Sequence, residues 1–287
     1  MRNIMELKEV TPEPIRDHRP VEGIEKPSGI LNFLNARFVR VSLRKIQKHS
    51  IWPLMAYFPL HTINTLIVPA ISPESAPNDV LMMVRAILPG FTNALLKWSI
   101  TAHVLSGLAL RLWGSFSRWK NHRGRGKSLP QDQKERESQR AIGLIGGLSG
   151  YCIGVSKQLA YNPQVVTGYI LTPLLWYHAR IMKEIPLEQG FGEVDIDFPK
   201  WILQNDNTFI KWFGGILPLS VLIWAASYHV VAGFCNYARI RRMDIRKSLS
   251  TLILCLTTSG IISLWRLSKS SPVFQDTFFP QILKRVF

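Results

Sequence analysis

Two histidines set in the same short pattern carry the clearest chemistry in this chain. Trp98-Ser-Ile-Thr-Ala-His103-Val-Leu-Ser-Gly107 and Trp224-Ala-Ala-Ser-Tyr-His229-Val-Val-Ala-Gly233 both read W-x4-H-x3-G, each inside an apolar run long enough to cross a bilayer. On a helix the His and the Gly four residues later share a face, while the Trp points elsewhere. A histidine in hydrocarbon is costly and usually faces protein, a cavity or a cofactor. One chemistry for the pair is bis-histidine ligation of haem b by His103 and His229, with Gly107 and Gly233 leaving room for the macrocycle. His61 and His178 would then stand beside that group or ligate a second one. The other chemistry is structural: the histidines hydrogen-bond between helices and hold a bundle together.

Other site types find no support in the residues. There is no serine with a usable His and Asp partner, no phosphate-cradling glycine loop and no metal-ligand spacing, so a conventional enzyme is not expected. Cys152, Cys235 and Cys255 lie in or beside apolar segments and read as reduced packing residues. Asp195 and Asp197 fall in an acidic loop and read as solvated carboxylates. The formal net charge of +16 comes with no nucleic-acid reader motif. It is better matched to anionic phospholipid headgroups beside the apolar segments.

The elements that must position the histidines are all helical. A hydrophobic content of 47% with interspersed charged stretches fits apolar spans joined by polar loops. The expected architecture is an all-α polytopic membrane bundle of five spans, near 51–71, 93–113, 164–183, 212–234 and 249–267, each suited to roughly 30 Å of hydrocarbon. A glycine-rich stretch at 142–158 is shorter and is read as non-spanning. That choice puts the N-terminal region and the basic loops at 114–140 and 235–248 on one side, and the acidic loops on the other. The cytoplasmic side is then the basic one. Domains follow as a tail (1–50), a first two-span repeat (51–113), a basic loop with the glycine-rich segment (114–158), a second repeat (164–234), a fifth span (249–267) and a C-terminal tail (268–287).

The repeat extends beyond the opening pattern. His61 precedes Pro69 by eight residues, as His178 precedes Pro186, and Ile-Leu-Pro occurs at 87–89 and again at 216–218. With five spans the two halves run in the same direction, which matches His103 with His229 and His61 with His178 in depth. Hydroxyl and amide residues inside the spans, among them Thr62, Asn64, Thr65, Ser99, Thr101, Ser106, Thr172, Ser227 and Ser259, offer a further reading. Gathered in one lipid-facing groove, they would let headgroups pass between leaflets, a scrambling activity; bonded to their own backbone, they would not.

Residues 1–50 lack the apolar core of a secretory signal, and Glu6, Glu9 and Glu13 argue against a cleaved mitochondrial presequence. Within this tail, Leu7-Lys-Glu-Val10-Thr-Pro12-Glu-Pro14 places two apolar anchors ahead of Pro-x-Pro. Alternate prolines pre-set an extended backbone and reduce the entropy lost on docking. From Arg37 to Lys48 a basic run interleaved with Phe38, Val41 and Leu43 reads as an amphipathic lead-in on the headgroups.

Two resemblances attach to these motifs. Tyr228-His229-Val-Val-Ala-Gly233 resembles the haem-ligand helix in the cytochrome b subunits of succinate dehydrogenase. More extensively, Val10-Thr-Pro12-Glu-Pro14, Tyr57-Phe-Pro-Leu-His61, Asn64-Thr-Leu, Pro69-Ala-Ile-Ser-Pro73, Ser75-Ala-Pro77, Asp79-Val-Leu-Met-Met-Val-Arg85, Gly168-Tyr-Ile-Leu and Tyr228-His229 resemble the fungal mitochondrial adapter protein Mcp-one family. That resemblance implies a multi-pass protein of the mitochondrial outer membrane with a cytosolic N-terminus. It also implies a partner, the chorein-type VPS-thirteen lipid-transfer protein, which is recruited to support lipid homeostasis at organelle contacts. Carried over by position, Pro12 and Pro14 are the docking prolines, with Leu7 and Val10 as upstream anchors.

Overall fold

The computed structural model describes residues 36–124, 163–273 and 278–285, and all regular structure among them is helical. Leu7, Val10, Pro12 and Pro14, the glycine-rich segment 142–158 and Cys152 lie outside the described residues. The chain divides into two units, residues 1–41 and residues 42–287. Helix α1 (Ala36–His49) opens in the first and closes in the second. Helix α1 is basic, and Phe38, Val41 and Ile46 on it are exposed large apolar side chains.

Three helical rods are built alike, and proline explains how. Helix α2 (Trp52–Thr62) passes through a π-helical turn, π1 (Ile63–Ile67), into α3 (Val68–Ile71). Helix α6 (Pro163–Ala179) passes through π2 (Arg180–Glu184) into α7 (Ile185–Glu188). The third rod begins as π3 (Ile210–Ile216) and continues as α9 (Leu217–Tyr237). Each π turn is followed by a proline at the second helical position: Pro69, Pro186 and Pro218. A proline lacks the N–H that would bond four residues back, and its ring crowds the carbonyl there. Widening the helix just before it relieves the crowding and frees that carbonyl. In hydrocarbon a freed carbonyl needs another donor. Thr65, four residues before Pro69, accepts from Ser263 Oγ at 2.8 Å, and Gly214, four before Pro218, accepts from Tyr177 OH at 3.2 Å.

Between the first and second rods, α4 (Ala76–Ile87) meets α5 (Thr92–Gly124) at a bend of 88°. After the second rod come α8 (Asp197–Gln204), the third rod, α10 (Met243–Lys269) and the short α11 (Phe279–Lys284). Helix α9 packs along α6 and α10, α10 packs along π1 and α3, and α5 leans on α2. Gly260 sets the closest of these approaches, since a Cβ there would fall 2.7 Å from Ile223 Cγ2 and 3.2 Å from Leu66 Cδ2. Beside it, Ser259 Oγ donates to Leu66 O at 2.7 Å and Arg266 donates to Ala70 O at 2.9 Å.

Among the described residues, three helical runs are long and apolar enough to cross a membrane: Phe38–Ile71, Ile210–Tyr237 and Met243–Lys269. The bent pair Ala76–Ile87 with Thr92–Phe116 makes a fourth if counted as one span. The run Pro163–Glu188, expected as a span from 164 to 183, is continuous but carries Gln164, His178, Arg180, Lys183 and Glu184, which lower its apolarity.

The acidic loop and the C-terminal segment differ from expectation. Ile181, Ile185, Phe198, Ile202, Phe279, Ile282 and Leu283 form one buried apolar cluster, so α8 and α11 cap the rods. The carboxylates here are paired and capped: Glu193 meets Arg85 Nε at 3.0 Å and Lys183 Nζ at 2.8 Å, and Asp197 accepts from Asn78 Nδ2 at 3.2 Å. Gly190 and Gly192, at φ of 76° and 79°, supply the left-handed backbone that turns the chain into this cap.

Candidate functional site

The structure brings both pairs of histidines together. His103 of α5 faces His229 of α9 with ring centroids 6.2 Å apart and planes at 84°. His61 of α2 faces His178 of α6 at 6.0 Å and 68°. All four imidazoles are only half-buried, and the helix pairs that carry them, α2 with α6 and α5 with α9, are not among the closely packed pairs.

Two glutamines that carried no signal in the sequence set the upper pair. His103 Nδ1 lies 3.1 Å from the backbone carbonyl of Gln47, and His229 Nδ1 lies 2.9 Å from the backbone carbonyl of Gln164. A carbonyl only accepts, so each Nδ1 carries the proton and donates. Each Nε2 is then a bare lone pair in the neutral ring, and no described residue hydrogen-bonds to it. Two acceptors cannot bond each other directly. The interhelical hydrogen bonds considered from the sequence are formed, His103 to Gln47 of α1 and His229 to Gln164 of α6, and not between the two histidines.

The glycines act differently from the expected clearance for a macrocycle. A Cβ at Gly107 would meet Gln47 Nε2 at 3.0 Å, and one at Gly233 would meet Gln164 Nε2 at 3.1 Å. Gly107 and Gly233 therefore seat the glutamine side chains whose carbonyls orient the imidazoles. The glycine that touches a ring is Gly168, where a Cβ would fall 2.8 Å from His229 Cε1. The next residue, Tyr169, lies under the Arg111 guanidinium at 5.5 Å.

The lower pair is arranged less symmetrically. Tyr57 OH lies 3.4 Å from His61 Nδ1, and the two rings stack at 5.4 Å. His178 Nδ1 is buried and has no partner in the protein, and Asn64 Oδ1 and Ser227 Oγ share that condition. A buried polar atom without a partner costs roughly 1–3 kcal/mol, so each invites an occupant.

Spacing ties the two levels together. Gln47 stands fourteen residues before His61, as Gln164 stands fourteen before His178, and π1 and π2 follow each histidine at the same interval. Helices α2 and α6 thus pass from the upper pair to the lower pair in the same direction. The Ile-Leu-Pro segments do not share this equivalence: Leu88 is extended at the bend before α5, whereas Leu217 lies inside the third rod. Thr62, Thr65, Thr101, Thr167, Thr172 and Thr257 all bond carbonyls of their own helix. Ser99 instead crosses to Ser50 O, joining α5 to the chain between α1 and α2.

At the capped end, a cavity of about 190 Å³ is lined by Phe191, Glu193, Asp195, Asp197 and Phe279 among others. Hydrogen bonding from Lys183, reinforced by the nearby charges of Lys183 and Arg85, holds the Glu193 carboxyl below the ordinary range. Burial, then the neighbouring Asp197 charge, pushes Asp195 up. Glu193 and Asp197 spend their oxygens on protein partners, so these groups brace the cap.

Comparison with known proteins agrees over almost the whole chain. A family model described as the MDM10-complementing protein 1 transmembrane domain matches residues 56–160 and 173–268. The mitochondrial adapter protein MCP1 of Saccharomyces cerevisiae is 41% identical, over 99% of this chain and 98% of the relative. No solved structure matches.

Proposed function

The chain belongs to the MDM10-complementing protein 1 family, and from that premise we propose that it is a multi-pass adaptor of the mitochondrial outer membrane that recruits a chorein-type lipid-transfer protein. The observation that carries the reading is identity with a named mitochondrial adapter over 99% of the chain, tail included. The role is one of holding, not catalysis. Leu7 and Val10 provide apolar anchors, and Pro12 and Pro14 keep the peptide extended for addition to a β-domain of the partner. Twenty-two residues separate Pro14 from Arg37, where the basic lead-in begins, a length that as a random coil would reach about 26 Å beyond the headgroups.

We read the bundle as five crossings built from a duplicated two-span unit. In support, α2 and α6 run in the same direction, so the chain leaves α5 and re-enters α6 on one side. The N-terminus shares that basic, cytosolic side. A scrambling activity of the bundle would relieve the leaflet imbalance that one-sided lipid delivery creates.

The test is a pull-down of the transfer protein's adaptor-binding domain by the full-length chain. Wild type is expected to capture it, and the double substitution Pro12→Ala with Pro14→Ala to lose capture at least tenfold. Equal capture by both would reject the docking role of the prolines.

A further inference from the structure

We propose that the two histidine pairs are axial ligand pairs for two b-type haems, stacked one above the other along the bundle. This goes beyond the adaptor reading and does not rest on it. Four observations converge on that ligand. First, at His103 and His229 both Nδ1 protons are donated to backbone carbonyls, which leaves two Nε2 lone pairs and no donor between them. Such an arrangement calls for a Lewis acid, and a ligating imidazole commonly has its other nitrogen fixed in this way.

Second, the separation fits. With a metal–imidazole bond of about 2.1 Å and a ring centre roughly 1.1 Å behind the nitrogen, two axial rings on one metal lie about 6.4 Å apart. The observed 6.2 Å and 6.0 Å are within a few tenths of that value.

Third, ligand number selects the cofactor class. No group of three or more metal-binding side chains occurs among the described residues. Two imidazoles alone cannot complete a four- or six-coordinate site for a bare ion. They suffice when the cofactor brings its own four equatorial nitrogens, as a porphyrin does. Fourth, α2 with α6 and α5 with α9 are not among the closely packed helix pairs, and all four imidazoles are half-buried rather than sealed by protein. At the lower pair the unpartnered His178 Nδ1 marks the same want of an occupant. Arg111, over Tyr169 beside the upper pair, is placed to meet a propionate.

Gln47 is level with the upper pair and His61 belongs to the lower, so fourteen residues at 1.5 Å each put the two metals about 20 Å apart. Near one face of the bundle and near the other, the protein would therefore hold two one-electron centres.

The experiment is purification of the full-length chain from haem-supplemented cells, followed by absorbance spectra and a pyridine haemochrome assay. Expected are a Soret band, a low-spin ferric spectrum and about two haems per chain. His103→Ala and His61→Ala should each halve the stoichiometry, and the two together should abolish it. Because an alanine variant can fail to fold, Gly168→Leu is added, which leaves all four ligands in place but displaces the His229 ring; it should lose the upper haem while eluting as wild type. A monodisperse wild-type chain that stays haem-free after supplementation overturns the proposal. So does bound haem whose amount is unchanged in the His103→Ala and His61→Ala variants.

Discussion

Gly168 offers a test in which competing free energies can be weighed from named contacts. Replacing it by alanine adds a methyl that would stand 2.8 Å from His229 Cε1 and 3.2 Å from Nδ1. A ring held by its Nδ1 bond to Gln164 O cannot swing aside as the end of a flexible chain can. Overpacking of this kind costs about 1–3 kcal/mol. Breaking the buried Nδ1 bond costs about 0.6 kcal/mol more in a membrane bundle. Against this, alanine is the better helix former by about 1 kcal/mol. The net expectation is a loss of about 0.6–2.6 kcal/mol, a shift of roughly three- to eightyfold in the unfolding equilibrium constant. Gly114→Ala is the control, because a Cβ there meets nothing within 4 Å; it should keep the gain in helix propensity and become more stable. The assay is SDS- or heat-induced unfolding of the purified chain in micelles, followed by tryptophan fluorescence. If Gly168→Ala and Gly114→Ala shift the midpoint in the same direction, the close approach of α6 to His229 is not what holds this contact.

Ser259→Ala with Ser263→Ala removes the donors to Leu66 O and Thr65 O, and should destabilise the chain by about 1–2 kcal/mol in the same assay. Asp195→Asn keeps the oxygen that accepts from Asp197 N while removing a carboxylate whose pKa is raised by burial and by Asp197. The penalty for that charge exists only when it is ionised, so the variant should be more stable than wild type at pH 7. The advantage should vanish below pH about 4, where both states of the wild-type group are protonated. Glu193 works in the opposite sense: its lowered pKa means that the Lys183 and Arg85 pairing stabilises the cap above the ordinary carboxylate pKa and is lost as pH falls through the folded value. Protease cleavage near Gly190 should therefore accelerate in acid for wild type, and be insensitive to that pH range in Glu193→Gln.

Much of this was legible from residue order. The four histidines, their pairing by depth and the prolines eight residues beyond His61 and His178 are local spacings, and helical periodicity alone converts such spacings into shared faces. Gln47 and Gln164 stayed hidden, since what they contribute is a backbone carbonyl, and every residue has one. Gly107 and Gly233 were visible as small residues, but what they make room for depends on which helix lies opposite.

From the amino-acid order alone came the helical class, membrane-length runs and the matched histidines, all consequences of interactions within about one helical turn or of partition into hydrocarbon. Which nitrogen of His103 and His229 holds the proton was decided only by tertiary structure, because it depends on carbonyls from α1 and α6, tens of residues away in sequence. The same holds for the C-terminal helix, whose Phe279, Ile282 and Leu283 are buried only because α8 and π2 present an apolar face to them. Burial is a property of the partner as much as of the residue, and the partner is chosen by the fold.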